Sequence, residues 1–266
     1  MPSNDQELDP RIRFTLADGI ATITIAQPKK RNAIAPQMWD ALAAHFNRCS
    51  ADPEVRVVVF TGEGDAFCSG SDLEEIDMSN DIASGLARLK RANRMITAIY
   101  SCEKPVVAAV RGPATGVGWS LAMASDFVIA AENAKFGGGF LKVGLMPDGG
   151  SIYFLSRLLG EARAKEIAYT SRFVLAEEAL AFGMAVKVAP LAEFDAVVAA
   201  FAGQLATSAT TGIALAKRMF RASQAPSLEQ FLDQEEMAQV CAKKTGDFQE
   251  GVTAFMEKRP VRFTGL

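Results

Sequence analysis

Histidine is nearly absent from this chain. His45 is the single one among 266 residues, so any reaction that needs an imidazole base has one candidate. It lies in "WDALAAHFNRCS", an amphipathic helical pattern in which an isolated histidine reads as structural. Cysteine is scarce as well. Cys49, Cys68, Cys102 and Cys241 are scattered with no CxxC pair, which argues against a metal site or a disulfide frame and for buried thiols. No apolar run approaches the roughly 18 residues that a membrane span needs, and no Lys/Arg run is interleaved with aromatics as nucleic-acid binding would favour. The opening "MPSNDQELDP" has neither the charged nor the apolar region of a signal peptide. A cytoplasmic protein with no membrane and no nucleic-acid partner is the expectation.

The chain does have a core. Hydrophobic residues make up 49% of it and the net charge is only −3, enough for one sizeable hydrophobic interior with a helical appendage. "RIRFTLADGIATITIA" reads as two alternating strands joined at Asp18-Gly19, a strong hairpin signal. "RNAIAPQMWDALAAHFNRCSAD" has Pro36 placed to start a helix. "VRVVVFTG", "KPVVAAVRG" and "DFVIAA" are continuous apolar runs suited to strands buried on both faces. Between the last two lies the small-residue segment "ATGVGWSLAMAS", and a long mixed-charge helix is expected from Asp81 to Cys102. After Ser151 the pattern is almost wholly helical. Strands alternating with helices, followed by helices, predict an α/β fold with a helical tail.

Three turn-rich segments follow strands, where ligands bind in such folds. The first, "GEGDAFCSGSDL" (residues 62–73), carries no G-x-x-x-x-G-K-[ST] and is no nucleotide loop; it reads as an ordinary strand-to-helix loop or as a turn aiming a backbone N–H into a pocket. In the second, "RGPATGVGWSLA" (111–122), Gly116 and Gly118 allow close backbone approach where helical N–H groups are free to meet an oxyanion. "GWSLA" nearly matches a serine-hydrolase elbow, but His45 precedes Ser120 and that order is wrong. The third, "VGLMPDGGS" (143–151), sets Asp148 between a proline and two glycines, as a turn or helix-cap residue or as a reactive carboxylate. Two N–H donors, one carboxylate, no metal set and no histidine base suit the stabilisation of an enolate while a proton moves beside a carbonyl.

At this point the chain resembles the crotonase, or enoyl-CoA hydratase/isomerase, superfamily. "PKKRNAI", "AFCSGSDL", "KPVVAAVRGPATGVGWSLAMASDFVIAAENAKFG", "VGLMPDGG" and "FMEKRPVRF" occur in its order and spacing over nearly the whole length. The resemblance implies a crotonase-like spiral of ββα units over residues 1–200, carrying an acyl-CoA site, and a C-terminal helical trimerisation region over 201–266, with a homotrimer or hexamer as the assembly. It implies an acyl-CoA thioester substrate whose oxygen sits between the backbone N–H groups of Ser71 and Val117, with no separate cofactor, coenzyme A being part of the substrate. Ser69, Gly70, Asp72, Leu73 and Gly116 fall on the segments that line the substrate. Arg31 and Lys258 fall where members place basic residues near the CoA phosphates, Lys258 across a subunit boundary.

The departures carry more information. The two glutamates with which hydratases of the superfamily activate water correspond to Ser120 and Phe140, and neither is acidic. Asp148 falls where Δ3,Δ2-enoyl-CoA isomerases keep their acid/base, and the ring-opening isomerases of phenylacetyl-CoA catabolism share the Asp and the "EKRPVRF" ending. Dehalogenases of the superfamily also carry this Asp but need a histidine absent from the matching segment before Cys102. The expected activity is a C3-to-C2 double-bond shift, or a related isomerisation of a ring-derived acyl-CoA, with Asp148 as acid/base. Pro147 would fix its approach, Gly149 and Gly150 would leave room for the acyl tail, and Phe140 would keep the pocket dry. An atypical enoyl-CoA hydratase and a non-catalytic acyl-CoA-binding protein are the alternatives.

Overall fold

A computed structural model of the chain describes residues 8–75, 81–223 and 227–265. The hairpin of β1 (Ile12–Ala17) and β2 (Ile20–Ile25) turns through Asp18 and Gly19, whose φ values of 51° and 76° are those that a tight two-residue hairpin requires. β2 pairs in parallel with β3 (Val57–Gly62), and β4 (Val106–Val110), β6 (Phe127–Ala131) and β9 (Lys187–Ala189) extend the same sheet in the order β1-β2-β3-β4-β6-β9. A second sheet runs β5 (Pro113–Thr115), β7 (Lys135–Gly137), β8 (Phe173–Leu175).

The apolar runs are explained by two-sided burial. With side chains alternating along each strand, Val58, Phe60, Val106, Ala108, Val128 and Ala130 enter the main core. Val57, Val59, Val107, Ala109, Ile129 and Ala131 enter a second core beneath α7 (Phe194–Ala206), which contributes Phe194, Val198 and Ala202. The register Val58↔Val106 and Ala108↔Val128 keeps each layer in line.

The expected spiral of ββα units is present. β4, β5 and α3 (Val117–Ala124) form one turn, and β6, β7 and α4 (Ser151–Leu159) the next. After β3, a single parallel bridge, Cys68↔Ala114, takes the place of the small-sheet strand before α2 (Ile82–Ser101). α1 (Pro36–Ala51) starts on its proline and buries Met38, Leu42, Phe46 and Cys49 on one face. The Asp81 carboxylate caps α2, accepting from the Ala83 and Ser84 N–H groups at 3.3 and 2.8 Å. α5 (Glu161–Thr170) and α6 (Ala176–Ala181) precede β9. The short strands β8 and β9 interrupt a region expected to be almost wholly helical; three residues leave no periodicity to read.

α7 runs through residue 200, so the expected division there falls inside a helix that packs on the main sheet. α8 (Thr210–Ala222), α9 (Leu228–Ala242) and α10 (Gly246–Glu257) follow it. Among the described residues no single helix is long and apolar enough to cross a membrane. His45 is buried and stacked on Phe14 at 5.4 Å, and burial lowers its pKa. Cys49, Cys68 and Cys102 are buried thiols, whereas Cys241 is exposed.

Candidate active site

The loop after β3 is held from two sides. Asn32, fully buried with φ 57°, donates through Nδ2 to the Glu63 and Ala66 carbonyls at 2.9 and 2.6 Å. Ile34 N–H then donates to Gly70 O at 2.8 Å, and Asp72 N–H to Ile34 O at 3.0 Å. Because Gly70 and Asp72 face Ile34 in this parallel bridge, the Ser71 N–H between them points to the other side. It has no hydrogen-bond partner among the described residues.

The second loop abuts the first. Cys68 N–H donates to Pro113 O, Thr115 N–H to Cys68 O, and Thr115 Oγ1 to Ser69 O. Gly116 follows with φ 54° and ψ −129°, a conformation open essentially to glycine, and turns the chain into α3. Val117 is the first residue of that helix, so its N–H lacks an intrahelical acceptor and has no partner among the described residues. A Cβ on Gly118 would stand 2.3 Å from Cys68 O; the small residues are what let the two loops touch.

The third loop brings the carboxylate. In the turn at 148–151 the Asp148 carbonyl accepts from Ser151 N–H at 3.1 Å, from the Ser151 hydroxyl at 2.7 Å and from the Ser120 hydroxyl at 3.1 Å. The turn is therefore made by main chain and serines. The Asp148 side chain caps nothing: α4 has no side-chain cap bond, and neither Asp148 carboxylate oxygen accepts a hydrogen bond among the described residues, Oδ1 being buried. Burial raises its pKa above the usual carboxylate range, and the positive charge of Arg88 partly opposes this.

These three loops meet. Ser71, Val117, Asp148 and Gly149 line one pocket, closed by Trp39 of α1 and by Arg88 of α2. Its free volume is about 20 Å³, room for about one water.

The other expected substrate residues are placed as follows. Gly70 and Gly116 back the two donor loops, with a Cβ on Gly116 lying 3.7 Å from the Gly70 Cα. The Ser69 hydroxyl donates to Lys30 O at 3.1 Å. Asp72 is buried and bound to Lys30 Nζ at 2.7 Å, a hydrogen bond that lowers its pKa, so its carboxylate anchors the loop. Leu73 and Arg31 are exposed beside it. Lys258 is exposed at the end of α10 with φ 55° and is not among the residues lining the Asp148 pocket.

Phe140 lines the adjoining cavity. It is buried in that cavity of about 140 Å³, with Trp119, Pro147, Leu155 and Tyr169, and is not among the residues lining the Asp148 pocket. Gly149 and Gly150 do not make space for a tail: a Cβ on Gly149 would meet Ser120 at 3.0 Å and Val117 Cγ2 at 3.3 Å, and one on Gly150 would meet Phe154 at 2.8 Å. They let the Asp148 loop settle on α3 and α4. Sequence reasoning also passed over Trp39, Arg88 and Ser151. Ser151 had a signal, a hydroxyl three residues after the turn Asp; Arg88 had only its i, i+4, i+8 stripe with Ala92 and Ile96.

Residues 15–265 match the sequence family described as enoyl-CoA hydratase/isomerase. The chain belongs to this family, the crotonase superfamily. A Rhodobacter capsulatus member named probable enoyl-CoA hydratase is 40% identical over 259 residues, covering 96% of this chain and 98% of its own. The 1,2-epoxyphenylacetyl-CoA isomerase of Escherichia coli is 34% identical, with 93% and 95% covered. The crystal structure of an enoyl-CoA hydratase from Polaromonas sp. JS666 superposes with a TM-score of 0.90 at 33% identity, over 95% of this chain and 99% of that one. The chain is accordingly an enzyme of the enoyl-CoA hydratase/isomerase family on the crotonase fold.

Proposed function

We propose that the enzyme isomerises an acyl-CoA, moving a double bond from C3 to C2 through an enolate. The thioester oxygen rests on the N–H groups of Ser71 and Val117. Asp148 removes the C2 proton as electrons flow onto that oxygen; the C1–C2 bond gains double-bond character, and the developing charge is stabilised by two preorganised donors, each worth roughly 3 kcal/mol in a dry site. As the enolate collapses, the same carboxyl returns the proton at C4, and the double bond moves from C3–C4 to C2–C3. Protons balance, and neither oxidant nor cofactor is used.

The observation that carries this is a lone, unpartnered carboxylate lining one pocket with two free backbone donors. Among the described residues Asp148 is the one acid lining that pocket, which favours isomerisation over hydration. The Ser120 hydroxyl is committed to the Asp148 turn and Phe140 lines the adjoining cavity, so these two positions supply no pair of carboxylates to grip a water. The similarity to a 1,2-epoxyphenylacetyl-CoA isomerase supports the same reaction class, and ring-derived acyl groups remain within it.

The test is turnover of a medium-chain 3-enoyl-CoA in deuterated buffer, with 2-enoyl-CoA in parallel. Conversion to the conjugated isomer, lost in Asp148→Asn, supports the proposal. Gain of water in the 2-enoyl tube alone gives the site to hydration, and binding with no turnover in either makes the protein an acyl-CoA binder.

The proposal extends to assembly and placement: a homotrimer or hexamer built through α8–α10, acting in the cytoplasm, with Arg31 and a neighbouring subunit's copy of Lys258 near the CoA phosphates. Exposed Phe220, Leu228, Met237, Phe255 and Met256 on these helices support a covered face. Light scattering of the purified protein tests it, a monomer counting against it.

A further inference from the structure

Two residues lining the Asp148 pocket carry buried, unpaired donors that the isomerisation does not use. Among the described residues, three of the buried side-chain atoms without a hydrogen-bond partner belong to residues lining this one pocket: Asp148 Oδ1, Trp39 Nε1 and Arg88 Nε. The carboxylate is explained by the proposed reaction. The indole and guanidinium N–H groups are not, and a buried donor without an acceptor is costly enough that native structures rarely keep one.

Local packing does not account for them. Arg88, Ala92 and Ile96 recur every four residues and all line the pocket, so Arg88 lies on the inward stripe of α2. One turn further on, Arg91 reaches across to Asp40 of α1, Nε to Oδ2 2.7 Å. Arg88 makes no such pair among the described residues. Its guanidinium lies over the Trp39 ring, 5.3 Å from the centroid, and its charge acts on Asp148 without a direct contact. Stacking fixes the face of the guanidinium and leaves its edge free to donate.

We propose that Arg88 and Trp39 form a specificity subsite for an acceptor oxygen carried on the acyl group, so that the preferred substrates are oxygenated acyl-CoAs rather than plain hydrocarbon chains. This rests on the acyl-CoA reading above. Both groups only donate, so the matching ligand atom is an acceptor. The neighbouring Asp148 carboxylate repels a second anion, which favours a neutral oxygen (ether, epoxide, carbonyl or hydroxyl) over a carboxylate. A hydrocarbon chain in the same place leaves both donors dry and unpaired, the situation in which a polar site discriminates most strongly.

The test uses unreactive ligands that differ by one atom. Octanoyl-CoA is compared by titration calorimetry with its 3-oxa, 4-oxa and 5-oxa analogues, in which one CH₂ is replaced by an ether oxygen. The wild type is expected to bind at least one oxa analogue about tenfold more tightly than octanoyl-CoA. In Arg88→Met the preference falls to within about twofold. Trp39→Phe, which keeps the stacked ring and removes only the N–H, lowers the preference by a smaller factor and guards against misfolding of the arginine variant. Equal binding of all four ligands to the wild type, or a preference that survives both variants, overturns the proposal while leaving the acyl-CoA site intact. Failure of every thioester to bind overturns both together.

Discussion

The Ser120 hydroxyl lies 3.1 Å from the carbonyl oxygen of Asp148 and 2.7 Å from the Ser151 hydroxyl. The hydroxyl at this position therefore holds the Asp148 loop, and under the proposed reaction it serves by positioning that loop. Ser120→Ala is expected to lower kcat on a 3-enoyl-CoA about tenfold while KM changes less than about twofold, because the carboxylate is misplaced rather than removed. Loss of one buried hydrogen bond, about 1 kcal/mol, should lower Tm by about 2–4 °C. Ser120→Glu is not expected to create a hydratase: a Cβ on Gly149 would already approach Ser120 to 3.0 Å, so the longer acid has no room. Steady-state kinetics and thermal melts of both variants check this, and a hydrating Ser120→Glu protein would refute it.

Asp148 sets a pH limb. Its folded pKa is raised, burial being the larger cause and Arg88 opposing, and the working form is the carboxylate. Activity should therefore fall with pH along a limb lying above the ordinary aspartate value of about 3.9. Arg88→Met removes the opposing charge, so its limb should move to higher pH. The kcat/KM profile of the two proteins reads this directly; coincident limbs would mean that Arg88 does not act on the carboxylate.

The same shift has a consequence for stability. Above its raised folded pKa, Asp148 is a buried charge without a hydrogen bond, whereas in the unfolded chain it ionises freely. Between the ordinary aspartate value of about 3.9 and its raised folded pKa, the native state binds more protons than the unfolded one, so this residue's contribution declines as pH rises through that window. Asp148→Asn should melt above wild type at pH 8, with the difference closing toward acid pH. An unchanged or lower Tm at pH 8 would show that the carboxylate finds a partner in solution.

Local chemistry was legible in the sequence and distant assembly was not. The Asp18-Gly19 hairpin, the Pro36 helix start and the doubly buried β3, β4 and β6 each follow from a few consecutive residues. Ser71, Val117 and Asp148 could be singled out by residue type and motif, but their meeting depends on the bridges Ile34↔Ser71 and Cys68↔Ala114, which no periodicity encodes. The side on which Phe140 lies was illegible for a related reason. Its chain distance from Asp148 is short, yet the Val143 and Leu145 N–H groups both turn back to its carbonyl, and its ring lines the adjoining cavity. Arg88 was invisible because an arginine on a mixed-charge helix looks like a solvated one until its neighbours are known.

Two glycines in one motif separate packing from chemistry. A Cβ on Gly118 would lie 2.3 Å from Cys68 O and 2.8 Å from Cys68 Cβ, so Gly118→Ala must push apart α3 and the Cys68 loop, the two segments that carry the donors; a loss of about 3 kcal/mol is expected. A Cβ on Gly116 meets nothing nearer than 3.7 Å, and its cost is conformational, about 1–3 kcal/mol for leaving φ 54° and ψ −129° occupied by alanine. That strain is relieved by rotating the peptide between residues 116 and 117, which carries the Val117 N–H out of the pocket. Gly116→Ala should therefore stay folded yet lose about 10²- to 10³-fold in kcat, the usual effect of deleting one oxyanion donor. Denaturant melts and single-turnover isomerisation distinguish the two. Wild-type stability in Gly118→Ala would refute the close contact, and undiminished turnover in Gly116→Ala would remove Val117 from the oxyanion hole.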